Sequence, residues 1–200
     1  MISMKMFDRW EVEGIEPDDP GLKDHIKLEP VLAPRKSHGR HAGDRFSKND
    51  INLVERLMNH LMGPGHRGKK HKISSGMCGG DSSSVWKIVK EALTIIEDRK
   101  DENPLKVLLG AVENTAPAEE VSSYQVGSII KRKAVITAPQ RRIDLSLRHI
   151  AQGAYSDSVG SKKTMAECLA NEILSAYDEK RESYALRLKE RFEREAKGAR

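Results

Sequence analysis

Six stretches after residue 46 carry apolar residues at the three- and four-residue spacing of an amphipathic helix. Most of them begin at a residue that can cap a helix, or at a proline suited to its first turn. These starts are Ser47 in the capping-box-like Ser47-Lys48-Asn49-Asp50, Asp81 or one of Ser82 to Ser84, Asn103 before Pro104, Pro139, and Ser161. The sixth stretch, Arg181 to Lys197, is densely charged and predicts a surface helix or a helical tail. The pattern predicts a mainly α fold, a helical bundle of about six helices.

The apolar faces of the first five stretches predict the core. Their members are Ile51, Val54, Leu57, Met58 and Leu61; Val85, Val89, Ala92, Leu93 and Ile96; Leu105, Leu108, Leu109 and Val112; Ile143, Leu147, Ile150 and Ala154; and Met165, Cys168, Leu169, Ile173, Ala176 and Tyr177.

Between Pro117 and Pro139 the apolar period shortens to that of a strand, with Gly127-Ser128 as a two-residue turn. We therefore predict a protruding β-hairpin at about 118–138. An isolated hairpin is only marginally stable in water, so this one needs a partner surface. Strand alternation places Lys131 and Lys133 on one face and Arg132 on the other.

Residues 1–46 contain four prolines, mixed charge and no sustained period, which predicts an extended N-terminal arm ahead of a helical domain over 47–200.

Charge is also divided along the chain. Residues 1–30, 31–72, 73–130 and 131–200 carry net charges of −4, +7, −4 and +6, and five of the seven histidines lie in 31–72. Two basic blocks that met on one face would create a field suited to nucleic acid. Aromatic residues are only 4% of the chain, so we expect contacts to the backbone and shape of the nucleic acid more than base stacking.

The most basic tract is Gly63-Pro64-Gly65-His66-Arg67-Gly68-Lys69-Lys70-His71-Lys72. It approaches the nucleotide-binding pattern Gly-x-x-x-x-Gly-Lys-Ser/Thr, but Lys70 has no hydroxyl for a magnesium ion, and the preceding residues have helical periodicity where that motif has a strand. The tract therefore favours a polyanion over a triphosphate. Two alternatives stay open from the residues alone: a DNA-binding helical regulator, and a P-loop-like NTPase at Gly63.

No catalytic constellation is visible, and we expect neither a cofactor nor a metal. His66, His71 and Cys78 have irregular spacing for a zinc site, which normally has four ligands in short pairs. Cys168 is expected in the core, and two cysteines indicate a reducing compartment. His149 is either an RNA contact or a partly buried histidine. No apolar run approaches membrane-spanning length, so we expect a cytoplasmic protein without a membrane partner.

Three longer phrases, in order along the chain, resemble the seventh family of small-subunit ribosomal proteins. They are Glu102-Asn103-Pro104-Leu105-Lys106-Val107 continuing to Val112-Glu113-Asn114, Pro139-Gln140-Arg141-Arg142-Ile143-Asp144-Leu145-Ser146-Leu147, and Lys163-Thr164-Met165-Ala166-Glu167-Cys168-Leu169-Ala170-Asn171-Glu172. The Arg40 to Arg45 region and Val54-Glu55-Arg56-Leu57 look closer to the archaeal and eukaryotic branch than to the bacterial one. Gly68-Lys69-Lys70 resembles the loop after the family's first helix, although here Ile73 to Asp81 separate it from the next helix.

The resemblance implies a non-enzymatic structural constituent of the small ribosomal subunit. It implies a primary binder of the 3′ major domain of small-subunit (16S) rRNA that nucleates head assembly, with neighbouring head proteins as partners. It also implies a place at the subunit interface, with exit-site tRNA and mRNA nearby. We expect the rRNA contacts among the basic side chains of the two positive blocks: Arg35, Lys36, Arg40, His41, Arg45, Lys48, His66, Arg67, Lys69, Lys70, His71, Lys72, Lys131, Arg132, Lys133, Arg141, Arg142, Arg148, Lys162 and Lys163.

Overall fold

The computed structural model describes residues 5–30, 41, 43–44, 46–68, 70–75 and 77–200. In chain order the helices are α1 (Pro20–Lys23), a 3-10 turn (Ser47–Asp50), α2 (Leu53–Leu61), α3 (Ser82–Lys100), α4 (Pro104–Thr115), α5 (Pro139–Ser158), α6 (Met165–Tyr177) and α7 (Tyr184–Lys197). The strands are β1 (His66–Arg67), β2 (Lys70–His71), β3 (Glu119–Val126) and β4 (Ile129–Ile136). The described part is therefore mainly α with two antiparallel hairpins, which confirms the predicted fold class.

Helix α6 lies at the centre of the bundle, where it packs against α3, α4 and α5. All the predicted core residues are buried except Tyr177, which is only partly buried. The helical spacing therefore identified the core faces correctly, because residues three and four apart share one side of a helix.

Two helix starts differ from the predicted ones. Residues 47–50 form a 3-10 turn after Phe46, whose φ is +64°, and the carboxamide oxygen of Asn52 caps α2 by accepting from Val54 N at 3.0 Å. Helix α6 is capped by Thr164 and not by Ser161, since Thr164 and Glu167 form a reciprocal capping box. The predicted caps Asp81 and Asn103 are confirmed.

Among the described N-terminal residues the only helix is the short α1, yet several of these residues belong to the core. Met6, Trp10 and Leu22 are at most 3% exposed. Leu53 N donates to the carbonyl of Lys27 at 2.9 Å, which ties this segment to the first turn of α2. The division of the chain at residue 46 stays a prediction.

The β3–β4 hairpin has the predicted Gly127-Ser128 turn, with Val126 paired to Ile129 and Glu119 to Ile136. The surface that it requires is α7, which packs against both strands near their base. Glu193 on α7 accepts from Ala118 N at 3.3 Å, just before β3 begins.

Helix α7 is in turn held by a buried carboxylate. Glu172 on α6 accepts from the Ser183 hydroxyl at 2.8 Å and from Ala185 N at 2.9 Å, and burial raises the pKa of Glu172. The C-terminal segment is therefore a surface helix packed on the bundle and not a helical tail.

Candidate nucleic-acid interface

Helix α5 presents its polar side to solvent because its apolar residues recur on the opposite side. Arg141 and Arg148 are exposed there, and Gln152 lies one turn beyond Arg148 on the same side. Gln152 is only 9% exposed, so something covers it.

That cover is the β1–β2 hairpin, which Arg67 fastens to α5. The Arg67 guanidinium donates to the Gln152 carbonyl at 3.0 Å and to the Ser156 hydroxyl, and its carbon lies 5.4 Å from the ring centre of Tyr184. Gln152 Nε2 donates back to the His66 carbonyl at 3.4 Å. These bonds bring the basic tract of residues 63–72 onto the outer face of α5.

The backbone of the same tract turns back tightly at Gly65. Lys72 N donates to the Gly65 carbonyl at 3.0 Å, and a Cβ added at Gly65 would lie only 2.1 Å from the Ile73 carbonyl oxygen. Gly68 has a φ of +67° between the two strands, a conformation that glycine adopts readily. The turn leaves Lys70, His71 and Lys72 exposed.

Two cavities lie along α5 and share Arg148. The first, of about 340 Å³, lies between the end of α2, the β1–β2 hairpin and α5. The second, of about 330 Å³, is lined by Phe46, the first turns of α5 including Arg141, and Asp144. Parts of both predicted basic blocks, 31–72 and 131–200, therefore meet on one surface. We call this surface the basic face: residues 46–48, 59–68, 70–72 and the outer side of α5 from Arg141 to Gln152.

Asp144 organises the middle of the basic face. Its carboxylate accepts from Arg56 and from Lys48, each at 3.0 Å, and His60 Nε2 lies 3.8 Å away. Burial raises the pKa of this carboxyl, but the three basic groups outweigh burial, so its pKa lies well below the usual 3.8. Asp144 is therefore ionised at neutral pH, and its charge is neutralised within the protein.

Several predicted contacts are engaged inside the protein. Arg141 donates two hydrogen bonds to Glu120 Oε2, at 2.7 and 2.9 Å, and a third to Oε1 at 2.7 Å. Arg142 donates to Asp19 at 2.9 Å and is only partly exposed. Together with Arg67 and Lys48, these side chains stabilise the surface itself, and any role that they have in binding RNA stays a proposal.

On the long hairpin, Lys131, Arg132 and Lys133 are all exposed. The register puts Lys131 opposite Tyr124 and Lys133 opposite Ser122. Because successive side chains of a strand point to opposite faces, Lys131 and Lys133 lie on one side and Arg132 on the other, as predicted. Val126, Ile129 and Ile130 at the tip are 53%, 63% and 69% exposed.

Lys162 and Lys163 lie elsewhere. They are exposed in the loop between α5 and α6, and Lys163 lines a separate cavity of about 640 Å³ together with Arg99, Asp178 and Glu182. Residues of mixed charge line that cavity. Lys163 lines neither of the two cavities along α5.

Five predicted contacts fall outside the described residues: Arg35, Lys36, Arg40, Arg45 and Lys69. His41 is partly exposed, and its carbonyl accepts from the Ser47 hydroxyl at 2.8 Å.

The prediction overlooked several polar and aromatic residues of the basic face. Asn59 and His60 line the first cavity from the last turn of α2, and Phe46, 45% exposed, lines the second. Outside the basic face, on α7, the Arg187 guanidinium lies 6.0 Å from the centre of the Tyr184 ring that Arg67 also contacts. Asn59 and His60 could have been found from the sequence, because the last turn of a helix must lie beside the loop that follows it.

The groups considered for other chemistry are buried or scattered. The Cys78 thiol donates to the Leu61 carbonyl at 2.9 Å, and burial raises the pKa of both cysteines. His149 is 5% exposed and stacks on Phe192, so it is a buried histidine and not a surface contact. Among the described residues no three His, Cys, Asp or Glu side chains are grouped to hold a metal ion, and no described helix has the length and apolar character to cross a membrane.

The Gly63 tract also lacks the setting of a phosphate-binding loop for nucleotide hydrolysis. It follows helix α2 and forms a short hairpin of its own, whereas that motif connects a strand directly to a helix. These features define a basic, mainly helical protein with a projecting hairpin and a cationic surface of the kind that binds nucleic acid.

Comparison with known proteins specifies this class further. The family model of ribosomal protein S7p/S5e matches residues 22–200, and the chain belongs to this family. It is 43% identical over 199 residues to the small ribosomal subunit protein uS7 of Nanoarchaeum equitans, with all of both chains covered. It is 41% identical to uS7 of Methanosphaera stadtmanae, covering 99% of this chain and 100% of the relative, and 40% identical to uS7 of Methanococcus maripaludis strain C6, with both chains fully covered. The predicted family and its archaeal-type branch are confirmed, and the chain is a ribosomal protein and not an enzyme.

Proposed function

We propose that this protein is a structural constituent of the small ribosomal subunit in the cytoplasm and a primary binder of the 3′ major domain of small-subunit rRNA. In this proposal it nucleates assembly of the head and contacts neighbouring head proteins. Its long hairpin reaches toward exit-site tRNA and mRNA at the subunit interface.

The observation that carries the proposal is the meeting of the two basic blocks on α5. Arg67 fastens the β1–β2 hairpin to α5, and this leaves Lys70 and Lys72 exposed on the same surface as Arg148. None of these three has an ion-pair partner within the described ranges. Cations that are free of carboxylates can neutralise phosphates and release the counterions of the RNA.

The cations that are engaged inside the protein have a supporting part in this mechanism. Arg142, Lys48 and Arg67 each form a bond between two elements. They tie the cap of α1, the 3-10 turn before α2 and the β1–β2 hairpin to α5. A surface that is already ordered loses less entropy when it binds a folded RNA.

A salt titration with a matched pair of variants tests the proposal. Lys70→Gln/Lys72→Gln removes two charges from the basic face, and Lys87→Gln/Lys106→Gln removes two exposed charges from α3 and α4. For the first variant we expect the log–log dependence of RNA affinity on salt to become shallower by roughly 1.4 to 1.8, because each phosphate contact contributes about 0.7 to 0.9. For the second we expect the wild-type slope.

The RNA is a transcript of the 3′ major domain, with duplex DNA of the same length as competitor. A wild-type affinity that does not change with salt would remove the proposed mechanism. Equal affinity for duplex DNA would favour the DNA-binding regulator instead.

A further inference from the structure

The cavity of about 340 Å³ at the end of α2 has a composition unlike that of the rest of the basic face. Arg148 and Gln152 line it from α5, Asn59 and His60 from α2, and His66 from the β1–β2 hairpin. We propose that it holds one unstacked nucleotide of the bound RNA, with the base inside and its phosphate at Arg148. This inference rests on the proposed function.

Charge favours a nucleotide here, because none of the described residues that line the cavity carries a carboxylate. Asp144 lies 3.8 Å from Nε2 of His60, one of the lining residues, and its charge is balanced by Arg56 and Lys48. Arg148 forms no ion pair within the described part of the chain and is exposed at the rim. A phosphate beside Arg148 therefore meets a guanidinium without an ion pair in the described part of the chain, and no carboxylate among the described lining residues.

The side chains inside the cavity suit a base better than a second phosphate. Asn59 and Gln152 each carry a carboxamide, which can donate and accept at once and so pair with the hydrogen-bonding edge of a base. His60 and His66 provide imidazole planes on which an unstacked base can rest. A volume of about 340 Å³ lies within the usual range of small-molecule sites.

The walls are held in place before any RNA arrives. Gln152 Nε2 donates to the His66 carbonyl, which orients the carboxamide, and Arg67 donates to the Gln152 carbonyl. The close approach of Gly65 to the Ile73 carbonyl fixes the turn that carries His66. Because these side chains are already ordered, less entropy is lost when the nucleotide binds, and more of the interaction energy contributes to affinity.

The continuity of the surface identifies the occupant as part of an RNA strand. Lys70 and Lys72 are exposed on the same small hairpin as His66, and Arg148 also lines the neighbouring cavity around Phe46. A strand that follows these cations passes the mouth of the cavity, where one unpaired nucleotide can turn inward.

The test combines protein variants with single abasic substitutions in the unpaired positions of the 3′ major-domain transcript, using the full chain. For the wild type we expect one position at which loss of the base weakens binding roughly 5- to 150-fold, the range for a stacked base. For Asn59→Ala/Gln152→Met we expect a similar loss on intact RNA and no further loss at that abasic position. Gln125→Met on the long hairpin is the matched control and should keep the wild-type response.

The outcomes separate the two proposals. If the wild type fails to bind the RNA at all, the proposed function is wrong. A second outcome is that the wild type binds with the expected salt dependence, but each abasic substitution weakens binding of the double variant by as much as it weakens binding of the wild type. In that case the nucleotide site is wrong and the proposed function stands. Circular dichroism verifies folding of each variant. If the double variant does not fold, Asn59→Ala alone, at an exposed position, is put through the same scan.

Discussion

Replacing Asp144 by Ala should destabilise the protein far more than removing a carboxylate from an exposed ion pair. Asp144 accepts from Arg56 at 3.0 Å, and the Arg56 side chain is only 3% exposed. Without Asp144, a buried guanidinium loses its counterion and cannot regain it from solvent.

The structure sets the size of the effect. Breaking a buried ion pair by removing one partner costs about 3–5 kcal/mol. Arg56 would keep its bond to the His25 carbonyl at 3.1 Å and a long one to the Gln140 carbonyl at 3.5 Å. We therefore expect a loss near the lower end, about 3 kcal/mol, which for a chain of this size lowers Tm by about 6–12 °C.

The control is Glu120→Ala, which removes a carboxylate from Arg141. Those two groups are 2.7 Å apart, closer than Arg56 and Asp144, but the Arg141 side chain is 54% exposed. Exposed pairs contribute about 0–1 kcal/mol, so the control should change the free energy of unfolding by no more than that.

Urea unfolding followed by circular dichroism at pH 7 measures both variants. If Asp144→Ala loses less than about 1 kcal/mol, with the same dependence on urea as the wild type, water reaches Arg56 and the reasoning from burial fails.

Three further outcomes are expected. Burial lowers the pKa of His149 from 6.5 to about 4, so between these pH values the unfolded chain binds a proton that the folded chain does not. As the pH falls through this window, the wild type should therefore lose up to about 3 kcal/mol more free energy of unfolding than His149→Phe does. Tm measured against pH for both proteins checks this. Gly153→Ala should lower the free energy of unfolding by about 1–3 kcal/mol, because the added methyl group would lie 2.8 Å from a side-chain carbon on α7. A methyl group at Gly63 meets open space, so Gly63→Ala should lower it less. Equal urea midpoints for the two variants would contradict this. Glu120→Gln frees Arg141 and should tighten RNA binding at low salt, with a slope steeper by about 0.7 to 0.9; an unchanged slope would mean that Arg141 does not contact phosphate.

Local patterns were enough to predict most of the secondary structure. The faces of α3 and α4, their caps at Asp81 and Asn103, and the hairpin turn at Gly127-Ser128 all depend on neighbouring residues. Helical spacing, capping and a two-residue turn involve groups within a few positions of each other, so their chemistry is visible in the sequence.

The two misplaced starts mark the limit of such patterns. More than one residue near each start could have capped the helix. At α2 the choice was made by a distant partner, since the Lys27 carbonyl holds Leu53 N and the chain enters the helix at Asn52. At α6 the decisive Thr164–Glu167 box lay three residues beyond the predicted cap at Ser161, so the prediction stopped too early.

Only the tertiary structure decided which of the described cations bond to other groups of the protein. Charge blocks in the sequence predicted a basic face. They could not show that Arg67 bonds to the Gln152 carbonyl and Arg142 to Asp19, whereas Arg148 is exposed and has no ion pair among the described residues. Ion pairs form between residues that are far apart in the chain, and the distance between their atoms decides whether a charge is neutralised inside the protein or left available to a phosphate.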